Sequence, residues 1–277
     1  MQIQYKMGPV YRAGLIVCGG MCAGLATAVL VASTLHREVF ARGLPVGLPT
    51  EPTSAVGFVL CGLALIGIGY WFPHVTLLFG TVSMSLAIVV MGESLFRTGP
   101  RMESHIAASL GMLDWHGLAP NTVAVLLLGG VALLLRHTGQ WFERRLHVIA
   151  VIGSVIVAIG TSGCVGYMAG VPTYSWYSEA PMSFVSVICS FVLGLGIVMS
   201  ACRYSELDES GAPRWFPLVV FVGALAVNCS TGIAYLFGDS RIWQWPALTG
   251  LLPMTAATLV LTAVAARDIR RWREQTD

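Results

Sequence analysis

The chain has 277 residues, of which 56% are apolar and only 11% charged, with a mean hydropathy of +0.74 and a formal net charge of +2. Soluble domains carry roughly 25% charged residues, so this composition belongs in a lipid bilayer and leaves no room for a soluble domain of useful size. A nucleic-acid-binding role is excluded as well, because no basic stripe exists away from the ends of the apolar runs.

Each crossing of a bilayer takes roughly 20 residues, and the chain divides into eight such stretches. A short head carrying Lys6 and Arg12 leads into span one, Ala13–Leu35, rich in Gly and Ala. Its length, and the lack of a small-residue cleavage site, favour a retained span over a signal peptide. A Pro- and Gly-containing loop separates it from span two, Thr53–Phe72. Pro73 allows only a tight turn before span three, His74–Phe96. The longer connection Arg97–Ala119 holds a short interfacial helix over Met102–Leu113. Spans four and five follow, Pro120–Leu135 and Leu146–Ala169, then an aromatic loop from Gly170 to Pro181. Span six is Met182–Cys202, span seven Trp215–Phe237 and span eight Trp245–Ala266, the last with Pro253 as a kink. The fold class expected is therefore all-α, with one transmembrane domain over 1–266 and a cytoplasmic tail over 267–277.

An internal repeat runs through these spans. Pro52–Leu65 reads Pro-Thr-Ser-Ala-Val-Gly-Phe-Val-Leu-Cys-Gly-Leu-Ala-Leu, and Pro120–Leu133 reads Pro-Asn-Thr-Val-Ala-Val-Leu-Leu-Leu-Gly-Gly-Val-Ala-Leu. A looser copy covers Ser186–Ile197. In all three a hydroxyl residue (Ser54, Thr122, Ser186) stands eight positions before a glycine (Gly62, Gly130, Gly194). Offsets of 68 and 64 residues leave room for two spans per copy. The expectation is three parallel helix pairs, two–three, four–five and six–seven, plus a first and a last helix. Parallel copies differ from the inverted repeats common in secondary transporters.

Lys and Arg set the orientation. Eleven lie on the side of the head, the four–five and six–seven loops and the tail; five lie on the other. Both termini are placed in the cytoplasm. The loops after spans one, three and five then face outside. Cys18, Cys22, Cys61, Cys164, Cys189, Cys202 and Cys229 all fall within or at the ends of apolar runs, which speaks against a disulfide framework.

The repeated pattern Met/Pro-x-Thr-Ala-x-x-Phe-x-Leu-x-Gly-Leu-Ala-Leu resembles the multi-span membrane input regions found ahead of PAS, histidine-kinase and diguanylate-cyclase modules in bacteria. Tyr167–Tyr174 (Tyr-Met-Ala-Gly-Val-Pro-Thr-Tyr), Met182 and Gly194-Leu195-Gly196 resemble the second half of such regions. Arg101-Met102 and Ala119-Pro120-Asn121-Thr122 do so too, across an insertion. The resemblance covers spans two to seven. It implies a bacterial inner-membrane sensor that passes its signal to a cytoplasmic output. Here the sequence stops at Asp277, eleven residues after span eight. The output is therefore expected on another chain or beyond a truncation, unless the scaffold has another task.

Few side chains offer chemistry. Glu93 near the outer end of span three and Asn228 near the middle of span seven are polar groups inside spans, and such groups usually face a bundle interior. They line an outward pocket, or else Glu93 reaches the interface and Asn228 makes one interhelical hydrogen bond. Tyr235 falls on the Asn228 face. Tyr174, Trp176 and Tyr177, with Glu179, would cap such a pocket and could hold a cation; their plainer reading is an interfacial aromatic belt. Cys18 and Cys22 form a soft-ligand pair suited to copper(I) or, more simply, small apolar packing. No histidine pair sits mid-membrane to hold haem, and no nucleophile–base set is visible. The chain is thus expected to be a non-enzymatic signal-input or ligand-sensing module, without metal or cofactor. A small-molecule ligand is expected at the outer face, and another chain or a second copy as partner. A structural or anchoring subunit of a larger membrane complex is the alternative, and a small-solute transporter the third reading.

Overall fold

The computed structural model describes residues 9–34, 52–96, 119–136, 142–168 and 182–202, together with Gly223 and Leu225. Among them are six α-helices and no strand: α1 Pro9–Thr34, α2 Pro52–Gly69, α3 Pro73–Phe96, α4 Pro120–Leu135, α5 Phe142–Met168 and α6 Phe184–Cys202. Five of the six are long and apolar enough to cross a membrane; α4 is a shorter apolar helix. These helices match the first six expected spans. Spans seven and eight lie outside the described residues, save that Gly223 and Leu225 are helical.

Four helices begin on a proline, α1 on Pro9, α2 on Pro52, α3 on Pro73 and α4 on Pro120. Proline suits the first helical position because its missing N–H would have had no intrahelical acceptor there. α2 stops at Gly69 rather than Phe72. The chain reverses through Tyr70–Phe72, where the Phe72 N–H donates to the Gly67 carbonyl at 2.9 Å and the Trp71 N–H to that of Ile68 at 3.3 Å. Those paired bonds satisfy the last carbonyls of α2, and Trp71 takes the left-handed backbone they require (φ 63°).

Antiparallel contacts join each helix to the next, and α6 returns to α1. The most extensive pairings are α5–α6 and α1–α2, and α3–α4 exceeds both α2–α3 and α4–α5. One–two and five–six are thus the most extensive pairs, while α3 packs about equally on α2 and α4; the expected pair six–seven extends outside the described residues. α2, α4 and α6 also touch one another. They run in one direction: Gly57 and Gly129 face Leu126 and Leu193, while Gly196 faces Leu65. These three helices form the middle of the bundle, and α1, α3 and α5 lie around them.

Glycine sets the closeness of each tight pair. A Cβ at Gly62 would lie 2.7 Å from the Gly19 carbonyl oxygen and the Ala23 nitrogen of α1. At Gly194 it would lie 2.6 Å from the Val157 nitrogen and 2.8 Å from the Gly153 carbonyl oxygen of α5. At Gly130 it would meet Met84 Cβ of α3 at 2.7 Å. In lipid the hydrophobic effect does not drive helices together, so contact area and short polar links must. Such links are present: Cys22 Sγ donates to the Phe58 carbonyl at 3.4 Å, Thr76 Oγ1 to that of Ala64 at 3.2 Å, and Cys61 Sγ lies 3.1 Å from Ser83 Oγ.

Candidate functional site

Of the residues singled out in the sequence, Glu93 lies on α3, within the last turn before Phe96. Tyr174, Trp176, Tyr177, Glu179, Asn228 and Tyr235 lie outside the described residues. α3 runs against α2 and α4, so its end shares one end of the bundle with the starts of α2, α4 and α6. That end gathers the described polar groups best placed to contact a ligand.

Its elements are built alike. α2 opens Pro52-Thr53-Ser54 and α4 opens Pro120-Asn121-Thr122. α6 opens after Ser183, whose Oγ accepts the Ser186 N–H at 3.2 Å and donates to Ser186 Oγ at 2.9 Å. Tyr167, one residue from the end of α5, donates its hydroxyl to the Met182 carbonyl at 2.7 Å and meets Phe184 edge-on. This clamps the entry to α6 against α5. The repeat-marking hydroxyl residues Ser54, Thr122 and Ser186 are each buried to 2% exposure.

Thr53 stands apart from them. It is 1% exposed, and its Oγ1 has no hydrogen-bond partner among the described residues. An unmatched buried hydroxyl costs about 1–3 kcal/mol, which makes the position informative. Its direction follows from helical register. Thr53, Gly57 and Cys61 recur every fourth residue and share one face of α2. Gly57 takes the Leu126 side chain of α4, and Cys61 lies against Ser83 of α3 and close to Gly129 of α4. One turn nearer the helix starts, Thr53 is thus turned toward the α3–α4 side, in the layer that Thr122 supplies from α4.

The helix starts at this end share one sign of potential. A helix start carries roughly half a positive charge from its aligned peptide dipoles. None of α2, α4 and α6 has an acidic residue in its first turn. α4 also lacks a side-chain cap: Ala119 holds the N-cap position, and the Thr122 N–H turns back to the Ala119 carbonyl at 2.9 Å. Glu93, in the last turn of α3, brings an acidic residue to the same end; the other described groups named here are hydroxyls and backbone amides.

Among the described residues, no three His, Cys, Asp or Glu side chains come together as metal ligands. Cys22 spends its thiol on the Phe58 and Cys189 carbonyls, and Cys18 packs its Cβ beside Gly196. In the sequence Ser54, Thr122 and Ser186 mark a repeat rather than a site, and Thr53 carries no mark of its own. A hydroxyl at one register at the head of three apolar runs was the available signal. No protein-family model matches this sequence, nor does any curated protein or solved structure match it.

Proposed function

We propose that this chain is a membrane-embedded signal-input module without a catalytic centre. It would bind a small ligand where α2, α4 and α6 begin and pass the change to a partner chain at the opposite end. The buried, unpartnered Thr53 hydroxyl carries this reading, because a site that receives a polar ligand leaves such a group unmatched without it. The Lys and Arg distribution supports a bacterial inner-membrane orientation with both termini in the cytoplasm, which turns the hydroxyl-rich end outward. Three parallel helix-pair copies within an eight-span protein complete the proposal. The like surroundings of Gly62, Gly130 and Gly194 support it, with each repeat unit an outer helix followed by an inner one.

Transmission requires the ligand to favour one packing of the helices over another. The inner helices interlock side chain into glycine, so spreading their starts would shift the layers below. Purification of the chain from native membranes in mild detergent, with identification of stoichiometric partners, tests the proposal. A kinase, cyclase or PAS-bearing partner supports it, whereas a large energy-transducing or enzymatic complex overturns it in favour of an anchoring subunit. One observation favours that second reading: Gly20 and Gly24 have nothing within 4 Å among the described residues, on the face of α1 that exposes Val17, Met21 and Leu25, and open small residues suit helix docking.

A further inference from the structure

We infer that the α2–α4 side of this site takes a small oxyanion, a carboxylate or an inorganic group of similar size, with the Thr53 hydroxyl as one of its donors. The inference rests on the ligand-sensing reading and adds the chemical class of the ligand.

Three parallel helix starts at one end of a bundle concentrate positive potential there. Proteins commonly offset it with Asp or Glu in the first turn, but α2, α4 and α6 have none. Among the described residues, Glu93 on α3 is the acidic residue at this end that opposes this potential. An anion meets favourable dipoles from all three helices and hydroxyl donors within one turn. α6 satisfies itself through Ser183 and Ser186. α4, by contrast, starts on an alanine N-cap without a side-chain bond, and Thr53 on α2 is buried with its hydroxyl unmatched. The deficit therefore lies between α2 and α4.

The floor beneath limits the size of what can enter. Leu126 fills the space over Gly57, where even a Cβ would come within 2.6 Å of its Cδ1, and Phe58, Val123 and Val125 are buried in the same apolar core. Below Thr53 there is thus apolar packing and no channel. The head group must be compact, and it must accept hydrogen bonds without bringing a long polar tail.

The experiment uses the full chain purified in mild detergent, with thermal unfolding followed against rising formate, acetate, nitrate and acetamide. Acetamide matches acetate in size and lacks its charge. The expected result is a saturable rise in Tm with formate and acetate and none with acetamide. Replacing Thr53 by valine should weaken the apparent affinity about tenfold, as loss of one hydrogen bond to a charged group implies. Thr53→Ser should retain it, and Thr53→Ala serves if the valine variant does not fold. Nitrate acting like acetate would make the recognised group any small oxyanion, and a response to carboxylates alone would make it an organic acid; both support the inference. Equal shifts in wild type and Thr53→Val would mark a bulk salt effect and overturn it. Acetamide matching acetate, with both lost in Thr53→Val, would overturn the anion while leaving the sensing function standing. If no probe shifts Tm, the oxyanion site is overturned, and the identity of the partner chain decides the sensing function separately.

Discussion

Trp71 shows how a single residue absorbs the cost of a tight reversal. Its φ of 63° lies in the left-handed region, which costs a residue with a side chain roughly 1–2 kcal/mol. Glycine is the usual occupant of this position after a helix. The tryptophan side chain has a place of its own here. Tyr70, Trp71 and Phe72 are each about half exposed at the end of two apolar helices, where aromatic rings favour the membrane interface. Arg12 stands 5.3 Å from the centre of the Tyr70 ring, adding a cation–π contact there. Trp71→Gly should raise the stability of the detergent-solubilised protein by about 1 kcal/mol, read as a higher Tm; a fall would mean that the indole's contacts outweigh the backbone cost. A second test concerns Tyr167. Removing its hydroxyl with Tyr167→Phe should cost about 1 kcal/mol through the lost bond to Met182, with the edge-on contact to Phe184 retained. Pro73 made the reversal legible in the sequence. The residue bearing the positive φ was not, because no glycine stands there to mark it.

Between helices, the governing quantity is how closely two backbones approach. Gly62→Ala and Gly194→Ala each place a methyl group against backbone atoms of the neighbouring helix, and backbone cannot yield as a side-chain tip can. Each should destabilise the protein by about 1–3 kcal/mol, the usual cost of overpacking. Gly20→Ala, with open space around it, should leave Tm unchanged or slightly raised, since alanine is the better helix former. Thermal unfolding of the three variants in one detergent checks the contrast, and equal effects at Gly20 and Gly62 would contradict the packing described. Apolar length and proline starts made the helices themselves readable in the sequence. Their pairing was not. A repeat fixes which segments are alike but not whether a copy packs against the helix before it or the one after. The choice is made by Gly19, Gly80 and Gly153 on the preceding helices, which face Gly62, the Leu133 turn and the Val198 turn respectively and which no repeat comparison singled out.

At the scale of the whole molecule, the orientation is a prediction in its own right. A reporter active only in the cytoplasm, fused after Asp277 in the full chain, should be active, and one inserted in the loop between α1 and α2 should be silent. The reverse result would turn the Thr53 end inward and end the proposal of an external ligand. The candidate site was only partly readable from the sequence for a related reason. Its hydroxyl residues stand out once aligned, but that they converge depends on α2, α4 and α6 all lying in the middle of the bundle, which hydropathy does not reveal. The same arrangement bears on how the protein is made. α1 meets α2 as soon as the second helix leaves the ribosome, and α3 meets α4 in the same way. The contact of α1 with α6, marked by Cys22 and Cys189 at a separation of 167 residues, has to wait for nearly three quarters of the chain to be synthesised. Until then the flank of α1 that α6 covers lacks that contact, and a chain interrupted before Phe184 would be left with an open seam there.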